Sequence, residues 1–173
     1  MSESRLGSFI LVGNVGSGKS TLLKALLNLD EEVTKTQALR FHDNNIIDSP
    51  GEFINNRTLY GALLATITQV DTIVYLQAAD SGQLHMPADL LRMYTGKQVV
   101  GVVSRVDVPN ADVDAAEVLL AEEGITGPYI KVSKFDLCSI QRLSDYLQQI
   151  KKGSIETGPS LTTDRHQDSR RQV

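Results

Sequence analysis

The sequence predicts an α/β protein in which a mostly parallel sheet lies between two layers of helices, in the order α/β/α. Two observations predict this fold. Short and nearly continuous apolar runs, such as residues 9–12, 72–76 and 98–103, alternate with segments whose apolar residues have helical spacing. Such runs suit strands of a parallel sheet that is covered on both faces. The polar motifs of the chain also follow directly after these runs, where open α/β sheets bind their ligands.

In the first half of the chain, short β-branched runs predict strands and leucine-rich segments with helical spacing predict helices. Polar residues mark the connections, a mobile loop at Asp30 to Lys35 and a turn at Asp43-Asn44. The predicted elements are strand 9–12, helix 21–27, strands 36–42 and 45–48, helix 57–70 and strand 71–77.

Proline and glycine set boundaries in the second half. Pro87 is typical of the first turn of a helix, which we predict to run to about Tyr94. Gly124 is typical of the residue that follows a helix end. The other predicted elements are strand 98–103, helix 111–123, strand 129–132 and helix 138–150.

Residues 13–20 match G-x-x-x-x-G-K-[ST], the phosphate-binding P-loop, with an apolar strand before and a helix after them. Glycines let successive N–H groups wrap the phosphates, and the following helix directs its positive end at the same anion. Lys19 is then expected at the β- and γ-phosphates, and the Ser20 hydroxyl on Mg²⁺. The candidate nucleotide-binding residues are Gly13, Asn14, Val15, Gly16, Ser17, Gly18, Lys19, Ser20 and Thr21.

The next motif, Asp48-Ser49-Pro50-Gly51, ends a predicted strand in D-x-x-G. In P-loop proteins such an aspartate holds Mg²⁺ through water, and the glycine N–H contacts the γ-phosphate. The alternative is a strand that ends in a Pro-Gly turn. Thr36, in the segment before this strand, is a candidate to complete the Mg²⁺ ligands and to contact the γ-phosphate, and Thr34 competes for that role.

Two further motifs indicate a nucleobase site. Ser104-Arg105-Val106-Asp107 resembles the [N/T]-K-x-D sequence of GTPases, with Ser104 departing from Asn or Thr and Arg105 from Lys. In that sequence the aspartate accepts hydrogen bonds from guanine and would repel adenine. Arg105 is placed to stack on the base as the motif's lysine does. Ser133-Lys134 follows the sixth strand where GTPases carry S-A-K, whose backbone contacts the guanine carbonyl. A surface turn and a loop hydroxyl are the respective alternatives.

Composition limits the class of protein. The 173 residues suit one domain at 1–150, followed by a polar segment at 151–173 that we predict to be a disordered tail. The formal net charge of -4 gives no basic surface for nucleic acid or an anionic membrane. A single cysteine, Cys138, forms no internal disulfide, and the sequence has no signal peptide or transmembrane run. These features predict a soluble cytoplasmic protein.

Together the motifs resemble a small Ras-like GTPase domain, a P-loop NTPase fold, over residues 6–150. Four blocks narrow the resemblance to the EutP/PduV family, whose members are encoded with ethanolamine- and propanediol-utilisation microcompartments. The family's K-T-Q-A and D-T-P-G-E-[YF] blocks are similar to residues 35–38 and 48–53, with Ser49 in place of threonine. Asn56-Arg57 and Tyr60-x-Ala62-Leu63 match its short helix start. The resemblance extends to residues 104–107 against its T/S-K-x-D, with Arg105 in place of lysine.

The resemblance implies a nucleotide-binding protein with Mg²⁺ and GTP or ATP as cofactors, and microcompartment shell or enzyme proteins as partners. One hypothesis is a GTPase-like switch that hydrolyses GTP slowly and recruits those partners. Its catalytic candidates are Lys19, Thr36 and Glu52. Glu52 follows D-x-x-G where many GTPases have a glutamine that orients the attacking water. Its carboxylate could act as a base, but it would also repel the γ-phosphate, which predicts slow turnover.

The second hypothesis is an ATP-dependent kinase of acetate or another short carboxylate, an activity attributed to members of the family. Such a kinase must neutralise two anions that meet in line, and Arg57 and Arg92 are the candidates for this role. No arginine-rich lid segment is evident, and a kinase that uses ATP needs no guanine-selecting Asp107, so both features favour the switch. A third hypothesis, nucleotide binding without turnover, is opposed by the intact P-loop and D-x-x-G residues.

Overall fold

A computed structural model describes residues 6–27, 40–42, 46–51, 56–83 and 96–153 of the chain. The strands within these ranges are β1 (Phe9–Gly13), β2 (Arg40–His42), β3 (Ile46–Asp48), β4 (Thr72–Ala78), β5 (Gln98–Ser104) and β6 (Ile130–Val132). The helices are α1 (Lys19–Leu27), α2 (Arg57–Ile67), α3 (Val113–Glu122) and α4 (Leu137–Lys151).

The strands form one sheet in the order β2-β3-β1-β4-β5-β6. Only the β2–β3 pair is antiparallel among the described pairs, so the sheet is mostly parallel as predicted. The register pairs Gly13 of β1 with Leu76 of β4, and Ala78 of β4 with Ser104 of β5. The carboxyl ends of these strands, and the motifs that follow them, therefore lie at one edge of the sheet.

Helices cover both faces of the sheet and give the predicted three layers. Alternate residues of β1 point to opposite faces, so Ile10 and Val12 belong to one buried cluster while Phe9 and Leu11 belong to the other. Side chains of α2 and α3 fill the first cluster, and side chains of α1 and α4 fill the second. The α/β/α fold is confirmed, and both faces of the central strands are apolar because both are covered.

The helix boundaries follow local side-chain chemistry. Asn56, Asp112 and Asp136 each accept a hydrogen bond from a backbone N–H in the first turn of the helix they precede. Gly124 has φ +80° directly after the turn that ends α3, as its sequence position predicted. Helix α2 ends at Ile67, earlier than the predicted Val70, because Thr68 turns its hydroxyl onto the carbonyl of Ala65.

Several sequence predictions fall outside the described residues. They are the loop at 30–35, the turn at Asp43-Asn44, the first residues of the strand at 36–42, the helix from Pro87 to Tyr94 and the tail from Ser154 onward. Helix α4 continues to Lys151, one residue beyond the predicted domain end. Within the part of the chain that the structure describes, no helix has the length and apolar character needed to cross a membrane.

A substitution in α3 tests the packing of this layer. Leu120 is fully buried, so Leu120→Ala is expected to lower the free energy of unfolding by about 2–5 kcal/mol through lost contacts and a residual cavity. Val118 on the same helix is 56% exposed, so Val118→Ala is expected to change the free energy of unfolding by less than about 0.5 kcal/mol. Urea unfolding of both variants measures the difference, and equal stabilities would contradict the assignment of the buried face.

Candidate functional site

The P-loop connects the end of β1 at Gly13 to the start of α1 at Lys19. Gly16 and Gly18 have φ angles of +78° and +92°, in the left-handed region that other residues rarely adopt. A Cβ atom at either position would meet nothing within 4 Å, so the backbone conformation and not crowding requires glycine there. The loop therefore has the backbone geometry from which successive N–H groups can surround an anion.

Lys19 carries a buried positive charge inside the loop, with only 6% of its surface exposed. Its ammonium donates to the carbonyl oxygens of Gly13 and Asn14, each at 2.8 Å, and lies 3.5 Å from the Ser17 hydroxyl. A buried ammonium is tolerable because these oxygens replace its water. The charge is thus fixed beside the helix N-terminus, where a phosphate would meet it.

The D-x-x-G segment lies directly against the P-loop. Asp48, with 2% exposure, accepts a hydrogen bond from the Ser20 hydroxyl at 2.7 Å, and the Ser49 hydroxyl donates to the carbonyl of Leu11 at 2.5 Å. The parallel pairing of β1 with β3 brings these residues together. The end of β3 is therefore joined to the first turn of α1.

The Ser20–Asp48 pair fits a magnesium ion. A hydroxyl and a carboxylate are the hard oxygen donors that Mg²⁺ takes, usually with one or two carboxylates from the protein and the remainder from phosphates and water. No group of three or more His, Cys, Asp or Glu side chains suited to a metal occurs among the described residues. An ion at Ser20 and Asp48 would thus depend on a bound phosphate for further ligands.

Gly51 approaches the P-loop backbone so closely that no side chain fits. A Cβ atom at this position would lie 2.7 Å from Cα of Val15 and 2.8 Å from the carbonyl carbon of Asn14. The glycine of D-x-x-G is therefore needed for contact between two loops, a reason beyond the predicted phosphate contact. Thr36, Thr34 and Glu52 lie outside the described residues, so their roles remain predictions.

Two residues of the Ser104-Arg105-Val106-Asp107 motif support the P-loop. The buried Ser104 hydroxyl donates to the carbonyl of Ser17 at 2.6 Å. Arg105, with φ +60°, donates to the carbonyl of Gly16 at 3.3 Å and pairs with Asp80 at 2.7 Å. Sequence reasoning treated Ser104 only as a departure from Asn or Thr, whereas its hydroxyl anchors the loop. The predicted stacking of Arg105 on a base remains a prediction.

A cleft of about 310 Å³ brings the separate motifs together. P-loop residues 16–18 form one part of its lining, Asp107 a second, and Lys134 with Phe135 a third. Thr21 and Arg105 also line it, while Asn14 turns its side-chain amide to the carbonyl of Gln83. These three motifs therefore lie together beyond the carboxyl ends of their strands. Sequence reasoning missed Phe135, although it directly follows the Ser133-Lys134 pair.

Ser133 organises the loop that carries Lys134 and Phe135. It is buried, its hydroxyl accepts the N–H of Phe135 at 3.1 Å, and its own N–H donates to the Ser139 hydroxyl at 3.1 Å. Its side chain therefore holds the backbone of the loop, and Lys134 lies at the surface of the cleft.

Comparison with known proteins gives a family and a fold. The family model described as ethanolamine utilisation and propanediol utilisation, PduV-EutP, matches residues 6–149. Proteins named "Probable acetate kinase EutP" from Salmonella typhimurium and Escherichia coli are each 40% identical. Those matches cover 85% and 82% of this chain, and 92% and 89% of the relatives.

More distant similarity extends the comparison. The propanediol utilization protein PduV of Citrobacter freundii is 31% identical over 57% of this chain and 65% of its own length. Among solved structures, the bacterial selenocysteine-specific elongation factor EF-Sec matches with a TM-score of 0.57 at 22% identity. That match covers 87% of this chain but 29% of the elongation factor, and at this identity it supports the fold alone.

Removing the Ser104 hydroxyl tests its anchoring role. Ser104→Ala leaves the buried carbonyl of Ser17 without this donor, so we expect the free energy of unfolding to fall by about 1–3 kcal/mol. Ser104→Thr retains a hydroxyl and is expected to keep most of the stability, and Thr126→Ala, at an exposed position, serves as a surface control. Chemical unfolding is the measurement, and an unchanged Ser104→Ala variant would contradict the anchoring role.

Proposed function

The chain belongs to the PduV-EutP family of ethanolamine and propanediol utilisation, and on that premise we propose that it is a Mg²⁺-dependent, GTPase-like nucleotide-binding protein with slow turnover. One observation carries the proposal: a single cleft joins the P-loop to Asp107 and Lys134. A nucleotide carries its phosphates and its base at opposite ends of one molecule, so a nucleotide site needs a phosphate-binding group and a base-binding group in the same cleft. The P-loop supplies the phosphate end of the cleft and Asp107 the base end.

At the phosphate end, the roles follow the geometry. N–H groups of residues 13–18 and the start of α1 bind the phosphates, and Lys19 supplies a fixed positive charge beside them. Ser20 and Asp48, with Thr36, would hold Mg²⁺, which when bound neutralises charge on the β- and γ-phosphoryl oxygens. The N–H of Gly51 would sense the γ-phosphate, as its contact with the P-loop allows.

At the base end, Asp107 is an exposed carboxylate in the cleft. A carboxylate accepts hydrogen bonds, so it pairs with the N–H groups of guanine and repels the acceptor nitrogen that adenine presents there. The backbone of Ser133 and Lys134 would contact the guanine carbonyl. The proposed activity is hydrolysis of GTP. The loop that follows D-x-x-G would be ordered while the γ-phosphate is bound and released after hydrolysis, and this change would control the recruitment of enzyme or shell proteins of a microcompartment.

The alternative is a kinase of acetate or a related carboxylate, which the names of relatives at 40% identity favour. The site gives it less support. Transfer between two anions requires cations free to approach both. The Arg105 guanidinium is instead paired with Asp80 and bound to the P-loop carbonyl of Gly16. Arg92 and the side chain of Arg57 lie outside what the structure describes.

Base preference separates the two functions. Calorimetric titration with GTP, GDP and ATP analogues and Mg²⁺ is expected to show selective guanine binding, which Asp107→Asn shifts toward xanthine. Each lost hydrogen bond to the carboxylate is expected to weaken guanine binding at least about tenfold. Asp114→Asn, an exposed change in the first turn of α3, is the matched control. Preference for ATP regardless of residue 107, with acyl-phosphate formed from acetate, would establish the kinase instead.

Turnover tests the proposed role of Glu52. Because a carboxylate beside the γ-phosphate repels it, we expect single-turnover GTP hydrolysis below about 10⁻² s⁻¹, the range of unassisted switch GTPases. Glu52→Gln removes that charge and is expected to change the rate, while Glu122→Gln on α3 is not. A fast rate typical of efficient NTPases that is unaltered by Glu52→Gln would contradict the role.

A further inference from the structure

We propose that Phe135 forms an aromatic wall of the nucleobase subsite, against which the flat face of a bound purine stacks. This inference rests on the proposed function, since it assigns a base-contacting residue to the same cleft. It begins from the exposure of the side chain. Phe135 is 77% exposed, and Leu137, two positions later, is 75% exposed. Phe135 lines the cleft, whereas Leu137 is not among the described residues that line it.

Exposure of a large apolar ring in a cleft has a thermodynamic consequence. Apolar surface in contact with water is unfavourable, and a flat ligand that covers the ring removes part of that surface from water. The ring shares the cleft with the P-loop and with Asp107, the groups proposed to bind the phosphates and the base edge. A purine held at its edge by a carboxylate presents its face to a neighbouring wall, and an aromatic ring is the side chain that matches such a face.

The loop that carries Phe135 is fixed before any ligand arrives. The N–H of Phe135 donates to the Ser133 hydroxyl, and the N–H of Asp136 donates to the Ser133 carbonyl, both at 3.1 Å. Asp136 then accepts from the N–H of Cys138 at 3.0 Å and begins α4. Because the backbone on both sides of the ring is already ordered, stacking costs little further conformational entropy.

Lys134 reinforces the wall. Its ammonium lies 4.6 Å from the centroid of the Phe135 ring, within the range of a cation–π contact. An ammonium over one face leaves the other face for a stacked base. A positive charge in the cleft attracts an electron-rich carbonyl, which guanine has and adenine lacks. The ring therefore accepts the face of any purine, and the charge adds a preference for guanine.

The sequence offers a direct test because it contains no tryptophan. Phe135→Trp and Leu137→Trp each introduce a single tryptophan, at positions of matched exposure, and excitation beyond the absorption of the five tyrosines isolates its emission. Saturating GDP with Mg²⁺ is expected to quench the emission of Phe135→Trp along a saturable curve, because a stacked guanine quenches indole fluorescence, and to alter Leu137→Trp much less. Equal responses of the two variants, or no response of Phe135→Trp, would overturn the proposal.

Affinity provides the second measurement. Base stacking on an aromatic side chain predicts a rise in the Kd for GDP of about 5- to 150-fold for Phe135→Ala, and less than about twofold for Leu137→Ala. Thermal unfolding of both variants checks that the fold is kept, which the exposure of both side chains leads us to expect. If the wild-type chain binds nucleotide and Phe135→Ala binds it with the same affinity, this inference alone is overturned. A wild-type chain that binds no nucleotide would overturn the proposed function and this inference with it.

Discussion

The peptide planes of the P-loop are held by side chains that bind their carbonyl oxygens. Lys19 binds the carbonyls of Gly13 and Asn14, Arg105 that of Gly16, and Ser104 that of Ser17. A planar peptide directs its N–H opposite to its C=O, so fixing one fixes the other. The direction of the anion-binding N–H groups is thus set by three donors, two of which come from the end of β5. The remainder of the site depends on this constraint.

Much of the fold follows from local pattern. The strands at 72–78 and 98–104 were readable because a strand buried on both faces is nearly all apolar, and Gly124 because a left-handed helix end favours glycine. The P-loop could be predicted because its function depends on residues that are adjacent in sequence. The side chains that support the loop could not be predicted in this way. Ser104 lies far along the chain from Ser17, and it is the registers of β1 with β4 and of β4 with β5 that place them together.

Phe135 shows a second limit of sequence reasoning. An isolated phenylalanine next to a helix usually belongs to a core, and its neighbour Leu137 has the same apolar character. The structure separates them by location, since only Phe135 faces the cleft. Ser133 gives the physical reason, because its hydroxyl and carbonyl determine how the chain turns between β6 and α4. Such a turn depends on bonds whose partners the sequence does not reveal.

The ion pair between Arg105 and Asp80 also bears on how sequences of this kind diverge. A guanidinium can bind a carboxylate and a carbonyl at once through its separate nitrogens, while a lysine has one ammonium and a different reach. The effect of a substitution at position 105 therefore depends on the residue at position 80, and the reverse. A chain that changed only one of them would leave either the carboxylate or the guanidinium without its ion-pair partner beside the P-loop. Positions 80 and 105 should accordingly show epistasis, with paired changes tolerated where single ones are not.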